Sequence, residues 1–324
     1  MISVKNDIRA AVGKIKAAED VLIVCHTRAD GDAIGSSLAL ARICRALGTP
    51  ARVLVPGGVP ERLRFLVGDE DIVTSAAPAS LNISVDVASH AQLGEACELG
   101  DFIDIKIDHH AVGDGIGARC SLDITDKTAA AAGELVYLFA LEAGDRSERT
   151  ATLLFAAVAS DTGSFKYSNT TPTTFECARN LCEWGARTAE VSDKLFDMRS
   201  YREALAVSHV YGEMRRLCGG KILAVLITND KKRQIGTLDE DYGEASSLLR
   251  CIEGTELAFA VKQDDADPTH FKCSMRSRST VDCAALCARF GGGGHKRAAG
   301  CTVYADSPEE AFEKVARAAM EETE

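Results

Sequence analysis

The sequence has no apolar run approaching the ~20 residues that a membrane-spanning helix requires. Its first residues, Met1-Ile-Ser-Val-Lys-Asn-Asp, also lack the basic stretch and apolar centre of a secretory signal, so a cytoplasmic location is expected. Positive charge is scarce: 37 Lys and Arg against 48 Asp and Glu leave a net charge of −11. This excludes a broad electrostatic footprint on long nucleic acid, which needs clustered Lys and Arg. A phosphate ligand should therefore be small. It would be held by local basic groups and by metal ions, which overcome an unfavourable global field at short range. The 12 cysteines never form a Cys-x-x-Cys pair. Cys283 and Cys287 can share a helix face, but no second pair accompanies them, so they read as reduced thiols rather than zinc ligands. Internal repeats and low-complexity tracts are absent, and no Gly-Lys-Ser/Thr follows the glycine run near residue 292 at Walker spacing.

A length of 324 residues favours about two domains, and 46% hydrophobic residues suffice for real cores. Up to about residue 185, short apolar runs alternate with amphipathic stretches, the pattern of β-α-β units in a mostly parallel sheet flanked by helices. Val21 to Cys25, Arg52 to Val55, Asn82 to Val87 and Phe102 to Ile107 read as strands. Ile34 to Leu47, Gln92 to Leu99, Thr128 to Glu142 and Glu148 to Ser160 read as helices. The stretch 188–218 reads as a helical connector. From 219 a smaller α/β domain follows, with strands at Lys221 to Thr228, Glu256 to Val261, His270 to Met275 and Cys301 to Tyr304. Helices are expected near Tyr242 to Ile252, at Val281 to Phe290 and from Pro308 onward. The fold class is thus α/β in two lobes, 1–187 and 219–324, with a cleft expected between them.

In open parallel sheets ligands collect beyond the carboxyl ends of the strands. His26, Asp86 and Asp108-His109-His110 fall at such ends. His26, Asp30 and Asp32 follow the first strand, with Gly31 allowing the loop to fold back. Gly35-Ser36-Ser37 is expected to open the next helix and to offer its N–H groups to an anion. Asp86 closes an apolar strand, a costly place for an unpaired carboxylate. Asp161 lies at a helix exit, where a carboxylate opposes the negative end of the dipole unless a cation compensates. Imidazole and carboxylate together suit hard divalent ions of the Mn²⁺ type, and a metal pair is a common device for cleaving phosphate esters.

These segments, in this order, resemble the DHH phosphoesterases, and among them the two-domain nanoRNase and 3′-phosphoadenosine-5′-phosphate (pAp) phosphatase group with its DHH-associated C-terminal domain. The resemblance spans nearly the whole chain. It implies two divalent ions, Mn²⁺ before Mg²⁺ or Co²⁺, one held by His26, Asp30 and Asp86 and the other by Asp32, Asp86, His109 and Asp161. It further implies that Asp108 orients a neighbouring ligand and that His110 faces the scissile phosphate or leaving oxygen. The expected reaction is attack by a metal-bridging hydroxide, with His110, Asp86 and Asp108 as the catalytic set. In the second lobe the resemblance assigns substrate binding to Arg276, Arg278, Gly292, Gly293, Gly294 and His295. Glycines there would let backbone N–H groups approach a phosphate that arginine grips from its side.

Two positions depart from the group. The loop from Asp126 to Glu134 is rich in alanine where relatives carry small hydroxyl residues, and Lys166 stands where arginine is common. Substrate preference is the property these would alter. His90 and His209 are assigned to surface or capping roles and Trp184 to core packing, while His270, which begins a strand in the second lobe and could approach the cleft, has nothing in its surroundings that says so. The expected activity is hydrolysis of very short 5′-phosphorylated oligonucleotides to mononucleotides, with pAp phosphatase activity beside it. The alternatives are a phosphodiesterase of cyclic or linear dinucleotides and a nucleotide-sensing module without catalysis. Expected partners are a short oligonucleotide or nucleotide, with no long duplex and no membrane, and the terminal helices permit a homodimer.

Overall fold

The computed structural model describes residues 2–110, 116, 120–278 and 281–323, with residues 2–5 by backbone alone. It comprises two compact units, Met1–Met198 and Arg199–Glu324. The expected connector 188–218 is divided by that boundary. Among the described residues, no helix is long and apolar enough to cross a membrane.

The first unit contains α1 (Ile2–Ala17), β1 (Val21–Val24), α2 (Gly31–Ala46), β2 (Ala51–Leu54), β3 (Asp71–Val73), β4 (Leu81–Val85), β5 (Ile105–Asp108), β6 (Leu122–Thr125), α3 (Ala132–Ala143), α4 (Glu148–Asp161), α5 (Pro172–Glu183) and α6 (Thr188–Ser192). Its six strands are all parallel in the order β3-β2-β1-β4-β5-β6. The sheet is buried on both faces. Val21, Ile23 and Val53 point into the main helical core, whereas Leu22, Val24 and Leu54 meet Val87, Leu93 and Ile103 on the other side. Chain order reverses between β1 and β4, and such a switch point opens a crevice at the carboxyl ends of the strands.

Helix α2 is buried along nearly its whole length because α4 lies directly against it. Small residues make this possible. A Cβ on Gly31 would lie 2.6 Å from Ser160 Oγ, and one on Gly35 would lie 2.6 Å from the Leu153 carbonyl. Gly35-Ser36-Ser37 therefore does not open the helix as expected. The helix begins at Gly31, and the Asp30 carboxylate accepts from the N–H groups of Asp32 and Ala33, so those donors are already engaged.

The second unit contains α7 (Tyr201–Gly212), β7 (Arg215–Leu217), β8 (Ile222–Ile227), α8 (Asn229–Ile235), α9 (Ala245–Arg250), β9 (Leu257–Gln263), β10 (His270–Ser277), α10 (Cys283–Ala288), β11 (Gly293–His295), β12 (Ala298–Tyr304) and α11 (Pro308–Glu321). Its mixed sheet runs β11-β12-β10-β9-β8-β7, with only β8 and β9 parallel. Alternation along β8 sends Ile222, Ala224 and Leu226 to one core and Leu223, Val225 and Ile227 to another.

Several expectations are corrected by the structure. β3 and β6 are short, partly exposed strands that their polar residues concealed. The segment His90–Phe102 is 3-10 helix broken at Gly94 rather than α-helix. Helix α3 starts at Ala132 rather than Thr128, because the Asp126 side chain closes a turn onto the Thr128 N–H and hydroxyl. His209 is no surface or cap residue: it is buried, with Nδ1 2.8 Å from the Tyr242 hydroxyl. His90 also has a neighbour, Asp101, at 4.0 Å.

Candidate metal centre

At the switch point the ends of β1, β4 and β5 lie side by side and deliver His26, Asp86 and the Asp108-His109-His110 turn. Asp86 has a φ of 59°, a left-handed conformation that aspartate tolerates better than most residues but not freely. The turn aims its carboxylate between three imidazoles. His26 Nε2 lies 3.6 Å from Asp86 Oδ2, while His109 Nε2 and His110 Nδ1 lie 3.4 and 3.6 Å from Asp86 Oδ1.

The remaining carboxylates come from two helix ends. Asp30, the cap of α2, lies 4.0 Å from His26 Nε2. Asp32, in the first turn of α2, is fully buried and accepts from Ser36 Oγ at 2.8 Å and from the N–H groups of Ala132 and Gly133 at 2.6 and 2.9 Å. The positive end of α3 thus anchors Asp32. Since only backbone N–H groups are used there, the alanine-rich loop serves as well as a hydroxyl-rich one. Asp161, at the end of α4, places Oδ2 3.3 Å from His109 Nε2, and Asp32 Oδ2 lies 3.8 Å from the same nitrogen. Asn169, which no sequence signal marked, donates from Nδ2 to the carbonyls of Asp161 and Ala130, each at 3.1 Å, and ties the two loops together.

Among the described residues three donor groups result: His26 with Asp30 and Asp86, Asp32 with His109 and Asp161, and Asp86 with His109 and His110. Neighbouring donors on one octahedral ion with bonds near 2.1 Å lie about 3 Å apart, so the closest pairs, at 3.3 and 3.4 Å, need only a small contraction to share a divalent cation. The hydrogen bonding gives an independent test of fit. Among the described residues, Asp86 Oδ1 and His109 Nε2 are both buried without a hydrogen-bond partner, and a cation satisfies both at once.

The electrostatics point the same way. Burial raises the Asp32 and Asp30 carboxyls, and the negative charges of Asp86 and Asp161 raise them further. Burial opposes the His109 cation, but Asp161, Asp86 and Asp32 outweigh it and push the imidazolium up to about 11. For Asp86 burial is likewise overcome, by His109 and His26, which hold its carboxyl below the usual range. The cluster is short of positive charge and takes it from protons where no metal supplies it.

Asp108 stands apart from the donor groups. Its Oδ1 accepts from the N–H groups of His109 and His110 and lies 2.7 Å from His110 Nδ1, while Lys106 Nζ approaches Oδ2 at 3.2 Å. The contact to Asp108 is the main reason the His110 pKa is raised. Lys106 was missed in the sequence, although its position two residues before Asp108 on one strand face is a readable signal.

The expected substrate residues lie in the second unit. β11 pairs His295 with Ala298, and β10 pairs Arg276 with the same Ala298. His295 and Arg276 therefore share one row and one face, separated by a small side chain. Arg278, just past β10, donates from Nε to the Arg250 carbonyl at 3.1 Å. The glycines divide by role. A Cβ on Gly292 would lie 2.3 Å from the Gly300 carbonyl and one on Gly294 2.7 Å from that of Ala298, so both permit close approach to β12. Gly293 has open space around it.

Residues 20–158 match the DHH family, N-terminal domain, and residues 219–322 match the DHHA1 domain. The chain is 30% identical over 321 residues to the bifunctional oligoribonuclease and PAP phosphatase NrnA of Thermus thermophilus, covering 97% of this chain and 94% of that protein. It is 25% identical over 295 residues to the protein of the same name from Bacillus subtilis, covering 90% and 91%. An exopolyphosphatase-related protein from Bacteroides fragilis has a similar fold, with a TM-score of 0.84 at 22% identity over 96% of each chain.

Proposed function

The chain belongs to the DHH family, in the branch that carries a DHHA1 domain, and we propose that it is a cytoplasmic hydrolase converting very short 5′-phosphorylated oligonucleotides to mononucleotides and pAp to AMP. The observation that carries this reading is the donor set centred on Asp86, with His26 and Asp30 on one side and Asp32, His109 and Asp161 on the other. Likeness to relatives named for both activities supports it.

His26, Asp30 and Asp86 would hold one divalent ion and Asp32, Asp86, His109 and Asp161 the other, with Asp86 shared. The oxygen-rich donor set favours Mn²⁺ or Mg²⁺ over softer ions. When bound, such a pair lowers the pKa of water and neutralises charge on phosphoryl oxygens. The protein's own contribution is position and proton handling. Asp108 engages Nδ1 of His110, which leaves Nε2 as the atom that can hold a proton for a phosphoryl or leaving oxygen. An imidazole held in this way can pass a proton to such an oxygen, since its ordinary pKa lies near neutrality. Arg276, Arg278 and His295, with the open space at Gly293, would grip the substrate's phosphate end. The net charge of −11 disfavours long strands, which such a short grip cannot track.

The test is turnover, with Mn²⁺ and with Mg²⁺, of 5′-phosphorylated dinucleotides, longer oligomers, pAp and a cyclic dinucleotide. Fastest loss of the shortest oligomers together with release of phosphate from pAp is the expected result. Preference for the cyclic dinucleotide would move the substrate class, and no turnover in either metal would sink the proposal.

A further inference from the structure

The chain just beyond Asp161 is held in a strained path. Gly163, Ser164 and Phe165 have φ values of 55°, 60° and 63° in succession, and only the first is glycine. L-residues adopt this conformation at a cost and do so mainly where surrounding contacts impose it. Here Ser164 N–H donates to the Ala159 carbonyl at 2.7 Å and Phe165 N–H to the Thr162 hydroxyl at 3.1 Å. The N–H groups of Lys166 and Tyr167 both donate to the Thr162 carbonyl, at 2.9 and 3.0 Å. Phe165 turns inward between Phe155 and Phe175, with ring centroids 5.7 Å from each.

The consequence is the position of Tyr167. A Cβ built on Gly163 would lie 2.3, 2.5 and 2.6 Å from its Cζ, Cε2 and Cε1 atoms. A point so near all three lies over the ring, so the Gly163 backbone covers one face of the phenol end. The residue nevertheless remains 59% exposed. A large aromatic is thus braced on the backbone two residues from Asp161 and turned outward, while the phenylalanine two residues before it is packed inward.

We propose that the open face of Tyr167, in the segment that follows the candidate ligand Asp161, is a stacking platform for a nucleobase of the substrate. The inference rests on the substrate class proposed above and adds a specificity-determining residue to it. Stacking on an aromatic ring tolerates every base, because each has a π-face. The platform would therefore distinguish nucleotides from other phosphate esters without selecting among bases.

The experiment compares kcat/KM for a 5′-phosphorylated dinucleotide with that for its analogue lacking both bases. Tyr167→Ala is expected to lower the ratio of the two by about 10-fold or more, and Tyr167→Phe to retain most of it. Equal losses on both substrates would mean that Tyr167 only shapes the Asp161 loop, and that outcome overturns the proposal, as does an unchanged ratio. Binding of AMP against ribose 5-phosphate supplies a readout without turnover. Equal wild-type affinity for the two overturns stacking even where the dinucleotide is a substrate. A wild type that prefers AMP, loses the preference in Tyr167→Ala and hydrolyses nothing would support the platform while rejecting the proposed activity. Thermal unfolding of both variants verifies that the exposed substitution leaves the fold intact.

Discussion

Asp86 Oδ1 and His109 Nε2 face each other across 3.4 Å, buried, and neither makes a hydrogen bond among the described residues. Two such atoms left unpaired cost stability that a shared cation restores. Asp86→Asn removes the charge that both donor groups share while keeping the side-chain volume. Its metal content, read by elemental analysis after dialysis against trace Mn²⁺, is expected to fall from two ions per chain towards none. Turnover should drop by at least about 1,000-fold, the scale on which loss of catalytic electrostatics is felt. Chelation of the wild type should abolish activity and lower its melting temperature, whereas the melting temperature of Asp86→Asn should barely respond. A variant that keeps two ions and full turnover would refute the assignment of Asp86 as the shared ligand.

Gly35 makes a different link, from packing to the site. A Cβ there would lie 2.6 Å from the Leu153 carbonyl and 3.0 Å from the Ala157 nitrogen, both backbone atoms of α4. Backbone cannot rotate away, so Gly35→Ala must push α2 from α4, at about 1–3 kcal/mol of stability. Because Asp32 starts α2 and Asp161 ends α4, the shift would also spread one donor group. Urea unfolding should show the loss, and Mn²⁺ affinity should fall with it. Unchanged stability would mean that the helices separate without strain.

The parallel sheet and the strand-end positions of His26, Asp86 and His109 were legible because apolar runs such as Val21-Leu22-Ile23-Val24 end abruptly in ligand-type residues. The short strands β3 and β6 were not, since Asp71-Ile72-Val73 and Leu122-Asp123-Ile124-Thr125 are too short and too polar for periodicity to register. Nor could the sequence show that the first N–H groups of α2 are taken by Asp30, or that Ala132 and Gly133 serve Asp32 from 100 residues away. Those relationships are tertiary. His209 was misread for the same reason, because its partner Tyr242 lies 33 residues on.

His209 gives the second unit a pH-dependent stability. Its Nδ1 lies 2.8 Å from the Tyr242 hydroxyl, which in turn lies 3.0 Å from Thr237 Oγ1. Burial, reinforced by the positive charge of Lys231, holds its pKa below the ordinary value. The unfolded chain therefore takes up the proton first as pH falls, and the contribution is complete above about pH 6.5 and lost progressively below it. Between pH 7.5 and 5.5 the wild-type melting temperature should fall by a few degrees more than that of His209→Gln, since all other titrating groups are common to both. Parallel curves for the two proteins would rule out a role for His209 in the acid limb.

Arg276 and His295 share one row of the second sheet because both pair with Ala298. Strands are spaced about 4.8 Å apart, so the two backbones stand roughly 10 Å from one another on the same face, with only a methyl group between. A phosphate seated over Ala298 can be reached by both side chains. Arg276→Ala should raise the KM for a 5′-phosphorylated dinucleotide by roughly 10- to 100-fold, the scale of a lost charge-assisted hydrogen bond, and alter kcat far less. If one phosphate takes both contacts, Arg276→Ala and His295→Ala should combine to less than the sum of their separate effects. Ala298→Leu should raise KM as well, by filling the gap while leaving both polar groups in place. Additive effects of the two truncations, with a wild-type KM for Ala298→Leu, would show that Arg276 and His295 act on different parts of the substrate.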